Sequence, residues 1–362
     1  MRITLKDIAE QAGVSKALVS MYLNHDRRAR LTDEKRKRID QLVAETGYRP
    51  SHAARVLRQG RSKTIGMVLG GLSDPFFHHL AEQVLKYSSQ QNYQILLALT
   101  EWDCRKEKQA LQLLLDRGVD AVILTADIAN DPDDFARIIG NRPGIIFRRT
   151  HPSYSSVVVD MRAIFHEIAT HFQSLGITEI TLIDSDRQNL SVFQEAAQKE
   201  KIRITVPDIT CRADDNEALS DYALEACRKT EGLYIASCWT VKRLLEKIYT
   251  ENTVLHPKIV TNYNFPEDFI DDPHVTGIID NRFSKFVRIL TDTIIDLAEH
   301  PQGPVVKTVD IRFYTRQEFI AAHPSDGRKI NHITIGKEFY EKKNISKTVT
   351  PCTEHITRKG IL

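Results

Sequence analysis

Lys16, Ala17, Ser20, Met21 and Asn24 recur at the spacing of one helical face, with side chains suited to contacts with base edges and phosphates. Chemistry of this kind is recognition, not catalysis, and it needs a rigid support. Val14, Leu18, Val19 and Leu23 let the other face of the same helix bury itself, and Leu5, Ile8, Ala9 and Ala12 give a preceding helix an apolar side. Gly13 suits the tight turn between them, because glycine tolerates positive φ. Ser15 can cap the second helix by accepting an orphan backbone N–H. One side that packs and one that reads is what a helix-turn-helix requires, so double-stranded DNA is the implied partner. A plain helical hairpin is the bland alternative.

A third helix begins at Leu31-Thr32-Asp33, with Thr32 as N-cap and Asp33 and Glu34 in its first turn, where the helix dipole favours them. Ile39, Leu42 and Val43 form its buried stripe and Gly47 ends it, completing a headpiece over residues 1–50. Residues 51–63 then read as a hinge that becomes helical only when DNA and a partner subunit hold it. There Leu57 stands among Arg55 and Arg58, an arrangement suited to wedging a minor groove open. An ordinary polar linker is the alternative.

Charge divides at the same place. Residues 1–63 hold fifteen Lys and Arg against seven Asp and Glu, a net of +8, while the rest of the 362-residue chain nets −6. A basic head on a mildly acidic body is the footprint of a nucleic-acid module joined to something that does not touch phosphate. The start of the chain lacks the apolar stretch of a secretory signal, and no run of about eighteen apolar residues suggests a membrane span. The cysteines, at 104, 211, 227, 238 and 352, form no CxxC pair and read as reduced thiols of a cytoplasmic, nucleoid-associated protein.

Beyond Thr64 the texture becomes α/β. Strands are expected at 65–69, 94–99, 121–125 and 144–147, with helices at 75–91, 106–117 and 135–139 between them. A second series has helices at 165–175, 192–199 and 241–249 and strands at 181–184, 232–236 and 258–261. A helix at 283–298 and a strand at 305–313 return to the first series. Such alternation implies parallel sheets wound by right-handed crossovers, and two series in tandem imply two lobes with a cleft at the carboxyl ends of their strands. The first lobe covers about 64–160 and 284–312, the second about 161–283 and 313–324. Residues 325–362 are polar, lack a leucine heptad and read as a mobile tail.

Residues 3 to about 318 resemble the lactose-repressor (LacI) family of bacterial transcription regulators. The residues that carry the resemblance are Thr4 to Ser15, Val19-Ser20, Asn24, Gly47-Tyr48-Arg49-Pro50 and Ala54 to Arg58 in the head. Ser73-Asp74-Pro75-Phe76-Phe77 and Leu175-Gly176 add to it in the core. The resemblance implies a small all-α helix-turn-helix headpiece and an α/β, two-lobed, periplasmic-binding-protein-like core of parallel sheets. It also implies a homodimer or tetramer on a pseudo-palindromic operator, answering to a small metabolite. By resemblance Lys16 and Ala17 begin the recognition helix, Leu57 is the wedge, and Ser15 and Asn24 touch the backbone. Thr4, Lys6, Ser20, Met21, Thr32, Tyr48, Ser51, Arg55 and Arg58 complete the expected DNA set.

The chain departs from the family pattern in two places. In the head, Met21 replaces a usual arginine, so a bidentate reading of guanine is lost there. The loop from His25 to Arg30 is longer by about a residue and holds three arginines, either phosphate contacts or a solvated turn. In the cleft, Arg148, followed by Arg149, stands where aspartate is common, Asn189 where an arginine grips sugar, and Val192 where glycine is usual. Ser237-Cys238 replaces an Asn-Asp pair, Asn264-Phe265 an Asp-Asp pair, and Asp280 a glutamine.

Phe76, Trp239 and Tyr263 could still stack on a flat ligand, and Arg148 and Arg149 could receive an anion. The expected effector set is Phe76, Phe77, Arg148, Asn189, Phe193, Trp239, Asn264 and Asp280. The alternatives are that the aromatics are core and that the arginines pair with Asp160 or Asp184. A sugar, a phosphorylated or acidic metabolite and a pocket without a ligand all stay open.

A catalytic reading finds little support. His78 and His79 are adjacent and point apart on a helix, and His166 and His171 miss the spacing of a helical ligand pair. No nucleophile elbow, Walker loop or dinucleotide fingerprint occurs, and Gly70-Gly71 is only a pair. Asp74, Asp103 and Asp184 fall at strand ends, where any such fold displays polar residues. No metal or cofactor is expected.

Overall fold

A computed structural model describes residues 3–23, 28–48, 60–73, 75–125, 132–147, 150–184, 187–207, 215–251, 255–263 and 268–323. The head folds as α1 (Leu5–Ala12), α2 (Lys16–Leu23) and α3 (Asp33–Thr46). Each start and stop has a local cause. Thr4 and Asp7 form a capping box at the start of α1, and Gly13 ends it at φ 61°. Ser15 Oγ accepts the Leu18 N–H at 3.2 Å, and Thr32 Oγ1 accepts that of Lys35 at 3.4 Å. Ile8, Ala9, Ala12, Val19, Ile39 and Leu42 close a small core. Tyr22 Oη donates to Asp40 at 2.9 Å, tying α2 to α3.

The first lobe is a six-stranded sheet in the order β11-β5-β4-β3-β1-β2. Its strands are β1 (Thr64–Leu69), β2 (Gln94–Leu99), β3 (Ala121–Leu124), β4 (Gly144–Phe147), β5 (Ser155–Val159) and β11 (Val306–Val309). Every pairing in it is parallel. Strand β1 shows why the apolar run is continuous: Ile65, Met67 and Leu69 enter one core and Val68 another. The first core is closed by α4 (Pro75–Gln90) and α11 (Phe283–Glu299), the second by α5 (Cys104–Asp116) and α6 (Pro132–Ile139).

The second lobe repeats the scheme in the order β12-β10-β9-β8-β6-β7. Here β6 is Glu179–Ile183, β7 Arg203–Thr205, β8 Gly232–Ile235, β9 Lys258–Tyr263, β10 Val275–Asp280 and β12 Arg312–Thr315. Helices α7 (Arg162–Ser174) and α8 (Arg187–Lys199) pack on one face, α9 (Asn216–Cys227) and α10 (Cys238–Thr250) on the other. A short α12 (Arg316–Ala322) buries Phe319 at the edge.

Three expectations need correcting. The strand expected over 305–313 is two strands, β11 in the first sheet and β12 in the second, parted at Asp310-Ile311. The second sheet is not wholly parallel, since β12 runs antiparallel to β10. Strands β5, β7 and β10 and helix α9 were not expected at all. The hinge over 51–59, the wedge Leu57 and the tail from 324 onward lie outside the described residues.

Candidate nucleic-acid interface and interlobe cleft

The outer face of α2 is open. Lys16 and Ala17 are exposed and Ser20 and Met21 half-buried, while Val19 on the inner face is fully buried at 0 % exposure. The division the apolar spacing implied is sharp at Lys16, Ala17 and Val19, while Val14, Leu18 and Leu23 are only half-buried, like Ser20 and Met21. Thr4 and Lys6 are exposed at the start of α1, Lys6 beside Glu10 at 3.6 Å. The hydroxyls of Thr4, Ser15 and Thr32 serve as caps, so they orient helix ends as well as facing outward. Two backbone and side-chain hydrogen bonds from Thr4 hold the Asp7 carboxyl below its ordinary value. Tyr48 is half-buried, and burial pushes its hydroxyl pKa up. Asn24, Ser51, Arg55, Leu57 and Arg58 lie outside the described residues.

In the first lobe, Phe76 opens α4 and meets Phe77 at 5.2 Å and Phe283 at 5.5 Å, edge to face. Phe77 is core, 8 % exposed and packed on Trp102 at 5.1 Å. Trp102 was not foreseen. It follows β2 with Glu101, both in the left-handed region at φ 60° and 55°. Its indole lies over Gly70, where an added Cβ would stand 2.3 Å from the ring. Only glycine leaves that space. Asp103 caps α5, accepting the Arg105 N–H at 2.8 Å, so its place at a strand end is structural.

In the second lobe, parallel register brings the ends of β8, β9 and β10 together, with Asp280 opposite Tyr263. Ser237 Oγ donates to Asn216 Oδ1 at 2.8 Å, and Thr240 Oγ1 donates to the same oxygen at 2.9 Å. Asn262 Nδ2 donates to the Ala236 carbonyl at 2.8 Å, while its Oδ1 is buried without a partner among the described residues. Trp239 Nε1 is likewise buried and unpartnered, and Lys242 stands 4.7 Å over the ring. Tyr263 packs against Phe319 at 4.7 Å, and Asp280 receives the Arg282 N–H at 2.8 Å with His323 Nε2 3.8 Å away.

Phe193 needs a correction. It is fully buried between Phe165 at 4.6 Å and Tyr234 at 5.5 Å, on the face of α8 that carries Ala196 and Ala197, so no ring face is left for a ligand. Arg148, Arg149, Asn264 and Phe265 lie outside the described residues, as does the side chain of Asn189. Asn216, Asn262 and Trp102 were missed by sequence reasoning. Asp215-Asn216 ahead of an apolar run was a readable cap signal, and Glu-Trp-Asp after a strand a readable turn.

A cavity of about 540 Å³ lies elsewhere, lined by Glu179, Gln194, Gln198, Lys201 and Arg203 at the amino ends of β6 and β7. Among the described residues no group of three or more His, Cys, Asp or Glu could hold a metal ion, and no helix is long and apolar enough to cross a membrane.

The head and the two sheets define a helix-turn-helix module joined to a two-lobed α/β core. The family model for bacterial regulatory proteins of the lacI family matches residues 4–51, the head of the chain. The HTH-type transcriptional regulator KdgR of Bacillus subtilis (strain 168) is 33% identical over 210 residues, 55% of this chain and 61% of that protein. The chain thus spans less than two thirds of the length of that relative. Among solved structures, a lac repressor dimer bound to operator and the anti-inducer ONPF matches with TM-score 0.72 at 16% identity, covering 87% of this chain and 99% of that one. A complex of the transcriptional regulator CelR with cellobiose matches at TM-score 0.58 and 18% identity, covering 86% and 98%. These similar proteins are named as regulators of transcription, not as enzymes.

Proposed function

We propose that the chain is a transcriptional repressor that binds a pseudo-palindromic operator as a homodimer in the bacterial cytoplasm and is controlled by a small metabolite at the strand ends between its lobes. The observation that carries this reading is the outer face of α2, where Lys16 and Ala17 are exposed and Ser20 and Met21 half-buried on a helix anchored to the head's core by Val19. The lac repressor structure, with the same fold, is bound to an operator, which supports the DNA reading. Trp239 Nε1 and Asn262 Oδ1 support a hydroxyl-rich ligand. One is a buried donor and one a buried acceptor, and a sugar could satisfy both. The CelR neighbour is complexed with a sugar, which favours the same class.

One observation favours a second reading, in which the cleft takes no effector. Phe319 and His323 already stand against Tyr263 and Asp280, two of the residues a ligand would use. The test is to retain fragmented genomic DNA on the full-length protein, sequence it, and titrate the recovered duplex with sugars and sugar phosphates. A short palindrome released by one metabolite supports the first reading. A palindrome indifferent to all of them supports the second, and diffuse retention overturns both.

A further inference from the structure

Residues 61–63 join the head to the first lobe, and their polar contacts converge on two carboxylates. Asp120, in the turn before β3, accepts the Ser62 N–H at 2.8 Å and the Ser62 hydroxyl at 3.0 Å through Oδ1. Its Oδ2 accepts the Lys63 N–H at 2.7 Å. A carboxylate that takes two successive backbone N–H groups holds the direction of the chain as well as its position. Lys63 is in the left-handed region at φ 53°, a conformation a lysine keeps only where its surroundings impose it.

Glu299 makes the second tie. Its carboxylate lies 2.5 Å from Lys63 Nζ, which also donates to Tyr93 Oη at 3.4 Å, and its carbonyl accepts from Arg61 Nη2. Lys63 holds the Glu299 carboxyl below its usual range. Glu299 ends α11, whose negative dipole end suits these cations. At the other end of α11, Arg282 and Lys285 both pair with Asp310, between β11 of the first sheet and β12 of the second. A helix of seventeen residues, about 25 Å long at 1.5 Å per residue, therefore has one end at the interlobe crossovers and the other on residues 61–63.

We propose that Asp120 and Glu299 are positioning residues for operator binding: they fix the direction in which the chain leaves the first lobe toward the head. The first-lobe core closes through its own apolar clusters, so these ties are not needed to build it. What they add is a defined exit. A head on a freely swivelling tether must lose that freedom each time two half-sites are engaged together, whereas a held exit has lost it already. Only specific binding, which requires both heads in register, gains from this. The proposal rests on the operator reading above.

The test uses full-length Asp120→Asn and Glu299→Gln. Three quantities are read: hydrogen exchange at the Ser62 and Lys63 amides, the thermal transition of the core, and affinity for the selected palindrome against a scrambled duplex of equal length. In Asp120→Asn the two amides should exchange faster and palindrome affinity should fall roughly tenfold, with the scrambled duplex and the thermal transition unchanged. Glu299→Gln should show the same pattern at a smaller size. Faster exchange with unchanged palindrome affinity would make the ties merely structural and overturn the proposal, as would equal losses on both duplexes. If the wild-type protein selects no palindrome, the operator reading falls and this role falls with it. The exchange rates then still report whether the ties exist, so the two failures are told apart.

Discussion

The outer face of α2 and the strand ends of the second lobe treat their polar groups in opposite ways. In the head the hydroxyls of Ser15 and Thr32 are used as caps of α2 and α3, and Lys16 and Ala17 are left open to solvent. At the ends of β8, β9 and β10 the polar groups are largely bound to one another. Asn216 takes the hydroxyls of Ser237 and Thr240, Asn262 holds the Ala236 carbonyl, and Tyr263 is covered by Phe319. If α2 meets a charged duplex as proposed, its surface can be organised in advance, because phosphate and base edges bring their own groups. A ligand at the second lobe must instead compete with contacts already made, or use the two atoms left over, Trp239 Nε1 and Asn262 Oδ1.

The contrast can be broken most forcefully at Phe193. As a core ring, Phe193→Ala should cost about 3–5 kcal/mol, measured by chemical denaturation, with the head's own DNA affinity unaffected. An unchanged stability with an altered metabolite response would return Phe193 to the cleft. Next in size, Gly70→Ala must displace Trp102 and should destabilise the first lobe by about 1–3 kcal/mol, read in the same melts. A neutral result would mean that the indole is free to swing away.

On the DNA side, Lys16→Ala should change which base is preferred at one operator position, an effect of about 1–3 kcal/mol. Binding to a panel of single-base operator variants reads this, and a uniform loss would make Lys16 a phosphate contact. Ser15→Ala should cost the head about 1 kcal/mol, visible in the unfolding of α2. The smallest effect is one of pH. Hydrogen bonds from Thr4 lower the Asp7 pKa from its ordinary 3.8, so the capping box contributes fully above that value and is lost as pH falls through the depressed one. Acid titration followed by amide exchange should show α1 fraying there, and the same titration of Asp7→Asn should lack that step.

The head was the most legible part of the chain because its causes are local. Gly13, Ser15, Thr32 and Gly47 stand within a turn of the helices they begin or end, and each does in the structure what its type suggests. The strands of the first lobe were legible for a related reason, since a strand buried on both faces is apolar throughout, as 65–69 is. Strand β10 was missed because Thr276 and Gly277 interrupt its apolar run, and glycine stands at 277 where an added Cβ would lie 2.7 Å from the Phe313 ring. Strand β7 has three residues, too few for a pattern.

By itself the sequence determined the helix-turn-helix, the basic head and the alternation that makes two wound sheets, because capping, periodicity and charge are properties of neighbouring residues. It could not determine that Asp310 divides one apolar stretch between two sheets, that Phe193 is enclosed by Phe165 and Tyr234, or that Asp120 and Glu299 receive the chain at 61–63. Those contacts join residues from about 30 to more than 200 positions apart, and only the closure of the sheets brings such groups within hydrogen-bonding or packing distance.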